Sequence, residues 1–589
     1  MELEKVLVID PVTNVEETYK TKEVVYKSNV NTSLYRYTAD SQSDTNVIFN
    51  NITPPSLNTI INRCLKLKYT LYVRVTGVPA TPALSQLYPN GVQSTGAQIA
   101  APNESEFGYS LILADSPLQA SSTAIELRIN GSSTSISPND YIQLYSHIAS
   151  NDDLSIFSTS YPHQKDNRVA YTNGSASTND GDFRSPFVSF DSNTTIQSRA
   201  STTWKLVNAA LTTSTAVYSV DVMEDLYLSP MVWGELCNKC SGLSNINNLT
   251  LNIRIADLNR AVRCVTADLN GLLYDPSTTK IETSFTQFGG VGTTGKNAEL
   301  ELQYITPDPV LAAKMPSVLA YDYDYIQSFI SNTTQTTFDN IVLQSVRLPS
   351  IPKRIYVYAK PSKSFIQQAP YINTVADMFL SIVNLKITFN NRINLLANDI
   401  PQTLYNKSAA NGLRDSFFEW QYGCGSIMII DVAKDLGLDA DECVGQANKY
   451  STLQITATFS AQNVLYQGAT PAQSQLLVPQ NYDYYILVES TGKAFVTPSD
   501  CQFVLTGPSS AEVLALTSNM DKVVDQSDLD GKQVGGGAFG LGKLFKSGLN
   551  LIKNVDPEKV VDGLKGVQQT LGAMGLGVAG GAMKHRRVR

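Results

Sequence analysis

Residues 65–76, LKLKYTLYVRVT, alternate without a fault: Leu65, Leu67, Tyr69, Leu71, Val73 and Val75 against Lys66, Lys68, Thr70, Tyr72, Arg74 and Thr76, until Gly77 stops the run. Successive side chains of a β-strand point to opposite faces, so this run is a strand with one dry face and one wet face. A helical period would scatter both sets around its circumference. An apolar strand face needs a second layer opposite it, and the chain must supply further strands. It does so at 249–256 (LTLNIRIA), 385–389 (LKITF), 453–460 (LQITATFS) and in the opening MELEKVLVID. In 346–361, VRLPSIPKRIYVYAKP, Pro349 and Pro352 shape a turn. Ile355, Val357 and Ala359 then share one strand face, and Tyr356, Tyr358 and Lys360 the other. These runs are spread through both halves with turn-rich segments between them, which predicts antiparallel sandwiches and not βαβ units.

A chain of 589 residues is too long for one core, so two domains of over 200 residues or three smaller ones are expected. Charged residues make up only 17%, and Ser, Thr, Asn and 29 Tyr stand in their place, as in β-sandwich strands and long polar loops. The two halves echo each other: LYLSPMVWG followed by SGLSNINNLTLNIRI has the layout of FFEWQYGCG followed by VGQANKYSTLQITATF. The expected architecture is all-β, two jelly-roll sandwiches in tandem. An N-terminal arm spans 1–27 and a first sandwich 28–270, with a polar, loop-rich excursion at about 79–215. A Gly/Thr-rich linker covers 271–297, a second sandwich 298–520, and a helical, Gly-rich tail 521–589.

Catalytic chemistry is poorly supplied. Residues 290–296, GVGTTGK, have P-loop spacing, but Asn297 stands where Ser or Thr must hold magnesium, and AELELQYI after it alternates like a strand. Cys237 and Cys240 form a lone CxxC pair, and Cys64, Cys264, Cys424, Cys443 and Cys501 are scattered singly. A zinc site wants a second pair or histidines, and the chain has three, His147, His163 and His585. A hydrolytic site would have to use His147 or His163, with no nucleophile motif nearby, and the acid pairs Asp152/Asp153 and Asp439/Asp441 read as turn residues. The expectation is no enzyme, no cofactor and no metal. MELEKVLVID lacks the pattern of a signal peptide and no run of about 18 apolar residues occurs, so synthesis in a reducing cytosol is expected, without a membrane span. The Asn-x-Ser/Thr triplets at Asn31, Asn103, Asn173 and Asn332 then read as products of composition.

Charge is unevenly laid out. From Asp521 onward 11 Lys or Arg face 7 Asp or Glu, while the preceding residues hold 34 against 46, an acidic body with a basic tail. Asp556 and Pro557 make a helix start, followed by Val560, Leu564, Val567 and Leu571 at helical spacing. Upstream, Leu541, Leu544, Phe545 and Ile552 oppose Lys543, Lys546 and Lys553, a basic amphipathic segment interrupted by Gly548. With the terminal Arg586, Arg587 and Arg589, these are the candidate contacts to a partner protein, a membrane or nucleic acid.

Several longer stretches carry a resemblance. VRLPSIPKRIYVYAKP, FNNRINLLANDIPQTLYNKSAANGL, GCGSIMIIDVAKDLGLDADECVGQANKYSTLQITATFS and NYDYYILVESTGKAFV, with PPSLNTIINRCLKLKYTLYVRVTG, LRINGSSTSIS and LYLSPMVWG before them, resemble the major capsid proteins of Polinton-like viruses and adintoviruses. The likeness runs from about 46 to about 498. It implies a double jelly roll, a homotrimeric pseudo-hexagonal capsomer and an icosahedral virion shell. The implied partners are neighbouring capsomers, penton and minor capsid proteins, and an internal membrane or genome facing the tail. The alternative is a β-sandwich adhesin or fibre whose polar loops hold glycans.

Overall fold

The computed structural model describes residues 5–8, 16–19, 32–76, 111–148, 204–208, 215–226, 242–264, 280–288, 296–306, 319–333, 338–348, 352–367, 373, 375–390, 392–436, 451–461 and 481–505. The chain divides into two units. One comprises Met1–Tyr26, Asp308–Pro316 and Ala511–Arg589; the other comprises Lys27–Pro307 and Ser317–Ser510. In the former, Lys5–Val8 pairs antiparallel with Glu16–Tyr19. The latter holds both sandwiches.

In the first sandwich one sheet runs Thr32–Thr38, Glu299–Ile305, Ile60–Thr76, Thr215–Asp225, Trp204–Asn208, with Lys280–Ser284 on the distal part of Ile60–Thr76. The other runs Ser41–Ser43, Asn46–Ile52, Leu249–Ile255, Ser122–Ile129, Ser132–Ile136. The second sandwich repeats the plan. One sheet runs Leu319–Thr333, Tyr482–Val496, Arg354–Pro361, Met428–Asp431, and the other runs Ile341–Val342, Ser451–Ser460, Ser381–Phe389, Arg392–Leu395. The pairings are antiparallel. Each sandwich closes by inserting its last long strand between its first and its middle one. Glu299–Ile305 lies between Thr32–Thr38 and Ile60–Thr76, and Tyr482–Val496 lies between Leu319–Thr333 and Arg354–Pro361. That closure is the jelly-roll signature. The internal echo has a structural basis, because Leu249–Ile255 and Ser451–Ser460 occupy the same central place in their sheets.

The alternation in 65–76 is realised residue by residue: its apolar set is buried, and its polar set is cross-linked on the wet face. Glu301 takes Lys68 at 2.6 Å and Arg36 at 3.1 Å, and Thr70 donates to Asp221 at 2.8 Å. Such cross-strand pairs contribute about 0.2–1 kcal/mol each. Asn130 and Gly131 join Ser122–Ile129 to Ser132–Ile136 with φ of 46° and 95°, and this double left-handed turn matches the strand twist.

The expected boundaries need correction, and one strand differs from its alternating pattern. The first sandwich does not end at 270, because Lys280–Ser284 and Glu299–Ile305 complete its sheet. Consequently 271–297 is not a plain linker, and the second sandwich begins at Leu319 and not at 298. The region 79–215 is not wholly an excursion either: Ser122–Ile129, whose Ile125, Leu127 and Ile129 are buried, is a central strand of the first sandwich. Finally, Arg354–Pro361 is dry on both faces beyond its first residue. Its Tyr356, Tyr358 and Lys360 face is covered, in part by a helix from the other sandwich. Among the described residues no helix is long and apolar enough to cross a membrane.

Candidate functional site at the joint between the sandwiches

The helix Pro138–Ile148 follows the Ser132–Ile136 strand. Pro138 opens it and Asp140 sits in its first turn, both favoured at a helix N-terminus. Its residues Asp140, Tyr141, Ile142, Leu144 and His147 are buried. The helix belongs to the first sandwich and docks on the second. Tyr358 donates its hydroxyl to the Asp140 carbonyl, and Lys360 Nζ donates to the Asn139 carbonyl at 2.5 Å and to Gln143 Oε1 at 3.2 Å. The Asp140 carboxylate takes the Ser328 hydroxyl at 3.0 Å and an ion pair from Lys363. Burial lowers the Lys360 pKa to about 8, against the pull of the Asp140 carboxylate and with a push from Lys363. Its ammonium lies 4.9 Å from the centre of the Tyr485 ring.

A second clamp lies at Asp377. Arg260 reaches its carboxylate at 2.5 Å and the Val375 carbonyl at 3.1 Å, and Arg263 pairs with the other carboxylate oxygen. Burial opposes the Asp377 charge, but the two guanidiniums outweigh it and hold the carboxyl well below the usual carboxylate range. Beside it, Asn373 donates to the carbonyls of Asn259 (2.6 Å) and Val262 (3.0 Å), and Cys264 N–H donates to the Asn373 carbonyl at 2.9 Å. A third contact uses the Asn-Gly turn, where Asn130 Nδ2 donates both to Asn245 O within its own sandwich and to Thr497 O of the other, at 2.8 and 2.6 Å. Ser244 N–H donates to the Tyr321 hydroxyl at 2.8 Å. Buried charge-assisted bonds of this kind fix geometry far better than exposed pairs do, and both sandwiches lie in one compact unit.

The residues singled out in the sequence fare differently. Leu541, Leu544, Phe545, Lys546, Ile552, Lys553, Arg586, Arg587 and Arg589 lie outside the described residues, as do His163, Cys237, Cys240, Asp152, Asp153, Asp439 and Asp441. The lysine of the P-loop-like run, Lys296, precedes the strand Glu299–Ile305, so no helix N-terminus follows it to face a phosphate. His147 is buried and meets Asp415 across the joint at 2.6 Å. Sequence reasoning missed Asp140, Lys360, Asp377, Arg260 and Arg263. The one available signal was Lys360 within an otherwise apolar and aromatic strand.

Known proteins with this arrangement define the class. The family described as the Sputnik virophage major capsid protein first domain matches residues 1–273, and the major capsid protein V20 C-terminal domain matches 323–483. Together the two models span most of the chain, and the chain shares the double jelly-roll fold of these viral capsid proteins. A Sputnik virophage protein described as capsid protein V20 is 27% identical over 308 residues, 48% of this chain and 48% of that protein, so the match spans about half of the curated relative. The Sputnik virophage structure determined by cryo-electron microscopy superposes with a TM-score of 0.65 at 22% identity, covering 87% of this chain and 95% of that one. The mavirus major capsid protein crystal structure gives 0.59 at 14% identity, covering 87% and 98%. The adhesin alternative is not favoured by these relatives.

Proposed function

We propose that this chain is the building block of an icosahedral shell and performs no catalysis. The observation that carries this reading is the repetition of one jelly-roll plan in two sandwiches locked into a single block. Three such chains around a threefold axis present six similar sandwiches, which is a near-hexagonal tile that packs against its own copies. Sputnik and mavirus capsid proteins share the fold, and the strand motifs further suggest kinship with the Polinton-like virus and adintovirus group. On this reading neighbouring capsomers, penton proteins and minor capsid proteins meet the edges of the tile. The tail faces inward to a membrane, a minor capsid protein or the genome, and the chain is made in the host cytosol and resides in the virion.

Mass measurement under native conditions tests the proposal. Purified chain is expected at three times 64.2 kDa, with hexagonal tiles in negative stain. A species that stays monomeric at high concentration and neutral pH refutes it.

A further inference from the structure

Three ligand-type side chains converge on one dry point of the joint: His147 in the last turn of its helix, Asp415 just before the helix Phe417–Tyr422, and Cys424 just after it. His147 Nδ1 is 2.6 Å from Asp415 Oδ2, and Cys424 Sγ is 3.9 Å from each of those atoms. The His147 and Asp415 side chains are 3% and 0% exposed, and Cys424 is buried. The backbone here leaves little freedom: Gly425 has φ +98°, and a Cβ on it would meet the Phe379 carbonyl oxygen at 2.0 Å.

This is not a nucleophilic relay. A thiol–imidazole–carboxylate relay uses both ring nitrogens, one to take the proton and the other to be held. Here the thiol and the carboxylate approach the same nitrogen. Three donor atoms around one point is ligand geometry. Metal–ligand bonds of about 2.0–2.3 Å at tetrahedral angles place donor atoms about 3.3–3.8 Å apart. The two sulfur distances of 3.9 Å lie just above that span and the 2.6 Å nitrogen–oxygen contact lies below it, so loading draws the thiolate in by a few tenths of an ångström and spreads the His147–Asp415 pair as the cation replaces their hydrogen bond. Thiolate, carboxylate and neutral imidazole together carry two negative charges, so a divalent cation leaves a neutral cluster, the state a dry site tolerates. The donor set is soft to borderline, which selects zinc over magnesium or calcium. The Glu419 carbonyl, 3.6 Å from Sγ, lies on the rim of the same site.

We propose that His147, Asp415 and Cys424 form a zinc site that staples the helix of the first sandwich to the second. Loading releases the thiol proton, so affinity falls on acidification. Tag-free full-length protein, stripped with chelator, exposed to Zn²⁺ and desalted, is expected to keep about one zinc per chain. Co²⁺ in its place is expected to give a thiolate-to-cobalt charge-transfer band. Cys424→Ser should abolish that band, His147→Gln should weaken Co²⁺ binding at least tenfold, and Cys237→Ser/Cys240→Ser should leave the band intact. Absence of both bound zinc and the band in the wild-type chain at pH 7–8 overturns the proposal, independently of whether any variant folds. So does a band that survives Cys424→Ser and vanishes in the double variant.

Discussion

Replacing Asp377 by Asn removes a carboxylate on which both Arg260 and Arg263 converge. Their side chains are 8% and 0% exposed, so neither guanidinium turns to water without moving the strand ends that carry it. Breaking a buried ion pair by deleting one partner costs about 3–5 kcal/mol, because the remaining charge stays buried with weaker compensation. Asn keeps one acceptor oxygen, which places the expected loss near the lower end. A cooperative unit on the order of 500 residues has a melting entropy of about 1 kcal/mol/K, so the midpoint should fall by about 3–4 °C. The sign with pH follows from the depressed Asp377 pKa. The stability it contributes is present above the ordinary carboxylate range and is lost only as pH falls through the lowered folded value. The variant's deficit is therefore constant between pH 5 and 9. Thermal melting read by circular dichroism, with limited proteolysis of the joint, tests this. Adding Arg263→Met to Asp377→Asn should restore part of the loss. A midpoint within 1 °C of wild type together with unchanged proteolysis refutes the clamp.

The first sandwich carries a different titration. Burial raises the Glu224 pKa to about 8, although the Leu118 N–H and the Tyr69 hydroxyl, 3.2 and 3.3 Å away, partly offset it. A raised folded value means that its contribution is complete below the unfolded pKa and is lost as pH rises through about 8. Glu224→Gln should flatten the fall in melting temperature between pH 5 and 9, and an unchanged slope would count against that assignment. A peptide covering residues 540–554 should gain helicity by circular dichroism on anionic vesicles. If it stays unstructured there but folds with an assembled shell, the partner of the tail is protein and not lipid.

The strand runs at 65–76, 249–255 and 453–460 were readable because period 2 is a local property: a side chain's face depends only on its parity. The Asn130–Gly131 pair was an equally local signal that went unread, since few other residues accept two left-handed positions in succession. Two sandwiches, the all-β class and the polar character of the outer faces therefore lay in the sequence itself. Which strand closes which sandwich did not. Glu299–Ile305 lies beyond the Gly/Thr-rich stretch and alternates like any other strand, yet it pairs with Thr32–Thr38, more than 250 residues earlier. Nothing local distinguishes that partner from Leu319–Thr333. The joint was equally hidden: His147, Asp415 and Cys424, or Arg260, Arg263 and Asp377, become neighbours only when the helix Pro138–Ile148 and the end of the first sandwich dock on the second. A charged side chain in an unpaired strand looks solvated until the layer that dries it is in place. Parity is decided within a few residues, whereas burial on the second face and the meeting of ligands are decided by contacts between segments hundreds of residues apart, and those exist only in the folded chain.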